Sequence, residues 1–367
     1  MNIIGLDGGA TKIRGTSLEI NVEQKLISAH KLPTDIIYNE QWKKQFQIIP
    51  LQQQLQEFKE NNIKLTDQEK EYGLIFIQSA AKLICQYSAH QPVRVGIGMP
   101  GIKTEDKKGI AVMANGPRIP KFLHTLTEIL QQQNVYLENP IHCLGSDADY
   151  CGLGEEYHVH GQFRNTKNAL YLGIGTGIAD ALKIQNKVLS LDNAPWLPKS
   201  WEMVTGSGKT FEQMISMAGI ARQYNGKTGK NFNAGQIFER SLEHDSLAEQ
   251  LVESAALHLA ELFYDRMQIL IFGTSQCYLL PARQRILPMC PYKEQFWNKI
   301  ILGQRIAHIW KEDAYKNVFQ DKVLQHLEDC MKPLPREYKN QYNIETLIQP
   351  SFLQEAPIFG AGISAIL

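Results

Sequence analysis

The chain opens on short apolar runs separated by polar turns. Residues 2–7 (NIIGLD), 13–20 (IRGTSLEI) and roughly 24–30 predict three strands of a sheet, with Gly8 and Gly9 in the first turn. Residues 34–66 are rich in Gln, Lys and Glu, and their scattered apolar positions predict a helical excursion on the surface. A helix at about 67–89 leads into VRVGIGM (93–99), a continuous apolar run expected as a buried strand, and then a Pro100-Gly101 turn. Helix and strand alternate through 121–133, 135–146 and 147–158, and ALYLGIG (169–175) with ADALKI (179–184) predicts a hairpin-like pair. From about 208 to 340 the pattern is mainly helical, with helices at 208–224 and 246–267 flanking a loop at 225–234. QILIF (268–272) reads as a core strand ending at Gly273. APIFGAGISAIL reads as a short strand, a Gly turn and the start of a terminal helix. No repeat of 20–50 residues occurs, but strands around a Gly-Thr turn appear twice, near 4–12 and 170–178. That coarse symmetry predicts two α/β halves facing a cleft.

A length of 367 residues agrees with about two domains. Apolar residues at 43% and charged residues at 21% suit a globular chain with a sizeable core. Lys plus Arg (38) balances Asp plus Glu (38), so no general field draws the chain to nucleic acid or an anionic membrane. The first residues lack a basic and apolar leader, and no apolar run approaches the roughly 18 residues of a membrane span. A cytoplasmic protein is expected. The six cysteines form no CxxC pair, which predicts reduced, buried thiols rather than a disulfide framework or a zinc knuckle.

Candidate chemistry concentrates in the glycine turns. Asp7-Gly8-Gly9-Ala10-Thr11-Lys12 joins two strands. Its glycines allow successive amides to form a nest for one anion, Thr11 and Lys12 add a hydroxyl and a positive charge, and Asp7 is placed for hydrated Mg²⁺. An ordinary Asp-Gly hairpin turn is the other reading. Gly173-Ile174-Gly175-Thr176-Gly177 repeats the theme, again as either a phosphate turn or a Gly-rich hairpin. Gly145-Ser146-Asp147 precedes a helix, so Asp147 is either its N-cap or a base aimed into a cleft. Thr205–Thr210 (TGSGKT) imitates a P-loop, but Met203 stands where the rule needs Gly, and the two prolines in PWLPKSWEMV argue against a preceding buried strand.

Taken together, the order of these motifs resembles the sugar-kinase branch of the actin-like (ribonuclease H-like) ATPase superfamily, most closely the ROK family, with glucokinase-like members. The resemblance rests on DGGATK at 7–12, Gly98-Met99-Pro100-Gly101, Asn115-Gly116-Pro117, Ser146-Asp147 opening a helix that ends in Gly154-Glu155, and Gly173–Gly177. It extends to Glu212…Ser216 with Ala221-Arg222, and to Gly360-Ala361-Gly362. It implies two α/β domains with an interdomain cleft: residues 1–142 with a C-terminal helix at 352–367, and residues 143–351.

The resemblance also implies an ATP- and Mg²⁺-dependent kinase phosphorylating a hexose or N-acetylhexosamine hydroxyl, with Asp147 as general base. Asp7, Gly8, Gly9, Thr11, Lys12, Gly175, Thr176 and Gly177 would serve the phosphates, and Asp7 would hold Mg²⁺ through water. Gly273, Thr274, Gly360, Ala361 and Gly362 would line the adenosine side. Gly98, Asn115, Ser146, Asp147 and Glu202 would bind sugar. Homodimers are frequent in the resembled family.

Four departures qualify it. Ala10 replaces a Gly, Ser146 replaces an Asn, Thr274 stands where a second Gly is expected, and Glu202 is followed by Met-Val-Thr without the family's His and clustered Cys. No structural zinc is therefore expected. His158 and His160 have no zinc spacing with Cys143 and Cys151 and read as surface or helix-end residues. The segment 277–290 has no recognised counterpart.

Two other readings stand beside the kinase. One is the neighbouring N-acetylglucosamine kinase and BadF-type ATPase branch, with a different acceptor. The other is a non-catalytic ROK sugar sensor. Against the sensor stand a first strand that starts at Asn2, leaving no room for a helix-turn-helix, the retained Asp147 and the zero net charge.

Overall fold

The computed structural model describes every residue except 1, 22, 25, 30 and 39–45. The chain divides into two compact units, Met1–Gly161 with Glu355–Leu367, and Gln162–Gln354. The first break therefore falls after Gly161 rather than after residue 142, and the helix that begins at Asp147 is part of the first unit.

The first unit is built on strands β1 (Asn2–Gly8), β2 (Lys12–Asn21), β3 (Leu26–Ser28), β4 (Thr34–Ile37), β5 (Val93–Met99) and β8 (Leu144–Ser146). They form one sheet in the order β3-β2-β1-β5-β8, with β4 also paired to β2. β1 and β2 are antiparallel, while β1, β5 and β8 run parallel. A two-stranded ribbon, β6 (Ile102–Lys103) and β7 (Ile110–Val112), follows the Pro100-Gly101 turn.

Among the described residues up to 161 the helices are α1 (Leu51–Lys59), α2 (Asp67–Ser88), α3 (Phe122–Gln132) and α4 (Asp147–Tyr157). α2 starts where the sequence signals it, because Thr66 and Glu69 form a reciprocal capping box. Its Phe76, Ala80, Leu83 and Ile84 pack with Ile4, Leu6, Ile97 and Leu126 into the core of this unit. The excursion at 34–66 is thus part strand and part helix. Thr34–Ile37 lengthens the sheet against β2, and residues 39–45 lie outside the described part.

Ala356–Ser364 is helical throughout, not a strand and a turn. It lies against β1, β5 and α4 so closely that a Cβ at Gly5, Gly96 or Gly360 would overlap a backbone carbonyl. The apolar text APIFGAGI suits either element by pattern alone. Burial of its whole length against neighbours selects the helix.

The second unit holds a sheet ordered β11-β10-β9-β14-β15, formed by β9 (Ala169–Ile174), β10 (Ile178–Ile184), β11 (Lys187–Leu189), β14 (Lys299–Gly303) and β15 (Ile348–Pro350). A separate short pair joins β12 (Met203–Val204) to β13 (Tyr278–Leu279). Its helices include α5 (Phe211–Ile215), α6 (Met217–Thr228), α7 (Ala234–Leu242) and α8 (Ser246–Phe272).

α8 absorbs the expected strand 268–272. Ile269, Leu270 and Ile271 continue its buried positions, and the helix ends only at Gly273, whose φ of 88° makes a left-handed cap. A short apolar run does not distinguish a strand from the end of a fully buried helix. α7 and β14 were not anticipated. Among the described residues no helix is long and apolar enough to cross a membrane. None of the six cysteines is in a disulfide; Cys151 and Cys290 are buried, but Cys143 is exposed, contrary to expectation.

Candidate active site

In the first unit, sheet register assembles the site. Asp7 at the end of β1 lies beside Gly98 on β5, and Gly98 lies beside Gly145 on β8. Three parallel strands therefore end in one row, and the chain passes from Gly145 directly through Ser146 to Asp147.

Ser146, not Asp147, caps α4, its hydroxyl accepting from the Asp149 amide at 3.4 Å. Asp147 occupies the first helical position, where its negative charge is favoured by the helix dipole. It is close enough to Asp7 for their charges to interact. Burial, and then the charge of Asp147, push the Asp7 carboxyl up to about 7, against weaker opposition from Arg14 and Lys12.

The hairpin turn after Asp7 is closed by the Gly9 amide, which donates to the Lys12 carbonyl at 2.8 Å. Neither Gly8 nor Gly9 has a positive φ, so the expected nest is not formed; a Cβ at Gly8 would meet the outer atoms of the Met99 side chain. The Ala10 and Thr11 amides donate to no described residue, and Thr11 is exposed. The Lys12 ammonium is already engaged, pairing with Asp35 on β4 beside Arg14, whose Nε donates to the same carboxylate at 2.7 Å. Burial would raise the Asp35 carboxyl, but the two cations outweigh it and hold it below its ordinary value.

Tyr38 was missed in the sequence. Its amide donates to the Thr11 carbonyl, its ring stacks on Phe76, and its buried hydroxyl has no hydrogen-bond partner among the described residues. Burial, followed by the Asp7 charge, raises that phenol. No local motif marks it, since it follows the turn by 27 positions and reaches it only through β4 pairing.

Asn115 sits at the exposed apex of a turn between β7 and Ile119, and its side chain makes no hydrogen bond to a described residue. Gly360, Ala361 and Gly362 are enclosed within the first unit by α4, β1 and β5, which gives them a packing role and no open face. His158 ends α4 but is buried against Phe359, not at the surface.

In the second unit, Gly173–Gly177 forms a tight hairpin, with the Gly175 amide donating to the Gly177 carbonyl at 3.0 Å. No glycine here has a positive φ either. Glu212 on α5 accepts from the Ile178 amide at 3.0 Å, leaving no room for a Cβ at Gly177. Burial raises the Glu212 carboxyl, opposed by that amide and by Arg222. Ser216 caps α6, and the Met217 amide donates to the Gly175 carbonyl, so this helix end also braces the turn. Thr176 is exposed at the apex.

Gly273 and its exposed neighbour Thr274 form the end of α8. Glu202 is buried, caps the Lys199 amide at 2.9 Å and pairs with Arg285 at 2.6 Å. The unrecognised segment 277–290 therefore has a place, since β13 pairs beside Glu202 and Arg285 neutralises it. Thr205–Thr210 closes on itself, with Thr205 and Lys209 joined through the backbone, after a two-residue strand; it is not a P-loop.

A family model described as the ROK family matches residues 43–272. A search among curated proteins finds no match. A ROK family glucokinase from Streptomyces griseus, solved with glucose and AMPPNP, aligns with a TM-score of 0.59 at 13% identity, over 99% of this chain and 98% of that one. A ROK family protein from Streptococcus pneumoniae in complex with sucrose gives 0.57 at 19% identity, over 100% and 98%. A ROK family transcriptional regulator, a homologue of the E. coli MLC protein, gives 0.60 at 12%, over 99% of this chain and 77% of that one. At such identities the likeness shows the fold alone.

Proposed function

The chain belongs to the ROK family, and on that premise we propose that it is an ATP-dependent sugar kinase with a hexose or N-acetylhexosamine as acceptor. The observation that carries this reading is the pair Asp7 and Asp147. One acid ends a strand beside a glycine turn, and the other stands on a helix start whose cap is supplied by Ser146. Phosphoryl transfer demands positioning and charge neutralisation more than covalent chemistry. Asp147 would accept the proton of the acceptor hydroxyl as the new oxygen–phosphorus bond forms and the bond from the γ-phosphorus to the bridging oxygen breaks, that oxygen leaving with ADP; such a base is typically worth about 10²- to 10⁴-fold.

The donated amides and hydroxyls fit a nucleotide. In the first unit the Ala10 and Thr11 amides and the Thr11 hydroxyl would contact phosphate oxygens, and in the second unit the Thr176 turn would do so. Gly273 and Thr274 would lie on the adenosine side. The donor set also fits Mg²⁺, because Asp7, raised first by burial and then by the charge of Asp147, stands close enough to that second acid for a divalent cation to relieve both. Asp7 would hold the ion through water. When bound, Mg²⁺ supplies positive charge beside the transferring phosphoryl group. Asn115, with its uncommitted amide, would bind acceptor hydroxyls, and Gly98 would let the sugar approach the backbone. Ser146 and Glu202 are committed to capping and to Arg285 in this structure, so their sugar contacts would be made in addition to those bonds.

A sensor that binds sugar without transferring phosphate is the competing reading, and one structural relative is a regulator. The acid pair favours catalysis. The deciding experiment measures ADP release with ATP and Mg²⁺ across glucose, mannose, fructose, N-acetylglucosamine and N-acetylmannosamine, with Asp147→Ala alongside. Sugar-dependent turnover that collapses in the variant is expected. ATP binding without sugar-dependent ADP release would overturn the kinase reading.

A further inference from the structure

The polar helix α1 presents a physical anomaly. Its one fully buried side chain is a glutamine, Gln54, at 1% exposure, whereas a surface helix ordinarily buries apolar residues. A buried amide without partners would be strongly unfavourable, and Gln54 is fully used. Its oxygen accepts from the Met113 amide at 2.8 Å, and its nitrogen donates to the carbonyls of Met113 at 3.2 Å and Ile49 at 2.7 Å. The side chain thus pairs with both backbone groups of Met113, as a neighbouring strand would.

One turn further along α1, Glu57 takes hold of the other end of the same loop. It accepts from Arg118, whose guanidinium is wholly buried and also makes two bonds with Glu69, at 2.7 and 2.8 Å. The Arg118 Nη2 donates to the Lys64 carbonyl as well, at 2.8 Å, and Glu57 accepts from the Lys64 amide at 3.0 Å. Just outside these two anchored feet the loop is closed by reciprocal hydrogen bonds of Ile110 and Ile119. Only Ala114 and Asn115 stand exposed at its apex, while Met113, Gly116, Pro117 and Arg118 are buried.

We infer that Gln54 and Glu57 are positioning residues for Asn115, and that α1 serves as the frame that sets how tightly the acceptor sugar is bound. The inference rests on reading Asn115 as a sugar-binding residue. Polar side chains suit this task better than apolar ones. Hydrogen bonds to specific backbone atoms fix the direction of a loop, whereas apolar packing tolerates its sliding.

The test is a double-mutant cycle on the full chain, with Gln54→Leu and Asn115→Ala, reading KM for sugar, KM for ATP and kcat. Gln54→Leu is expected to raise the sugar KM about tenfold with the ATP KM unchanged within about twofold, the pattern of lost acceptor positioning. In the Asn115→Ala background it should add nothing. Amide exchange at Met113 and through residues 114–116 should accelerate in Gln54→Leu while α2 stays protected.

Gln54→Glu, which keeps the acceptor for the Met113 amide, should fall between wild type and Gln54→Leu, and it replaces Gln54→Leu in the cycle if the latter does not fold. Equal effects of the Gln54 change in both backgrounds, or equal shifts in both KM values, would overturn the positioning role while leaving the kinase intact. Wild-type protein that turns over no sugar would instead overturn the reading of the site, and this inference with it.

Discussion

Asp7 and Asp147, separated by 140 positions in sequence, lie close enough that the charge of the second helps to hold a proton on the first. Parallel pairing of β1, β5 and β8 makes them neighbours, and partial burial, the larger cause, raises Asp7 from 3.8 to about 7.

A carboxyl with a raised pKa binds its proton more tightly in the folded chain than in the unfolded one. Its contribution to stability is therefore fully favourable below about 3.8 and is lost as the pH rises towards 7. Asp7→Asn should consequently be more stable than wild type at pH 8, by roughly 1–3 kcal/mol after allowance for solvent screening, and equally stable below pH 4. Urea denaturation at the two pH values measures this. An equal gain at both would show that the charge is not the cause.

Removing the second charge should act on the first residue. In Asp147→Asn the Asp7 carboxyl is expected to titrate lower than in wild type, yet above an ordinary carboxylate, since burial remains. Carbon NMR titration of the aspartate carboxyls reads the shift directly. An unchanged Asp7 titration would mean that the two acids are not coupled.

Arg118 is wholly buried and Glu69 is 1% exposed in its side chain, so truncating one partner leaves an uncompensated charge. Arg118→Met should destabilise the chain by roughly 3–5 kcal/mol, and Glu69→Leu added to it should recover part of the loss. Thermal melts of the two variants decide it. Glu57 gives the same network a pH dependence of opposite sign to that of Asp7. Burial would raise its carboxyl, but bonds from Arg118, the Lys64 amide and Gln53 outweigh burial and lower it to about 2. Its contribution is present above about 4.5 and is lost as the pH falls towards 2.

Gln304 follows β14 at the cap of the helix Arg305–Lys311, with φ 61° and ψ −142°, a backbone conformation disfavoured for any residue but glycine, and its side-chain amide lies against Gly173 and Gly175. Gln304→Gly should relieve strain and stabilise the chain by about 1 kcal/mol, while loosening the turn beneath and raising the KM for ATP. Denaturant midpoints and ATP kinetics test the two effects separately. A loss of stability would show that the side chain contributes more than the strain takes away.

Much of the frame was legible in local pattern. The first two strands, the helix announced by Thr66 and Glu69, the buried strand at 93–99 and the hairpin of Gly173–Gly177 all follow from signals within about ten residues of one another. The glycine turns and the acids beside them were visible for the same reason. Elements whose identity depends on distant partners were not. The runs at 268–272 and 356–364 are apolar enough for a strand or a helix, and burial on all sides selected the helix. Thr34–Ile37 became a strand because the edge of β2 was open to it.

At the site, the order of Ser146 and Asp147 was plain, but which of them capped the helix depended on backbone geometry. The commitments of Lys12 to Asp35, Glu202 to Arg285 and Gln54 to Met113 join positions 23, 83 and 59 residues apart. A polar side chain carries no sign in its own neighbourhood of whether it will meet water or a buried partner. Periodicity records which residues leave water, and only the folded chain determines what the polar ones meet there.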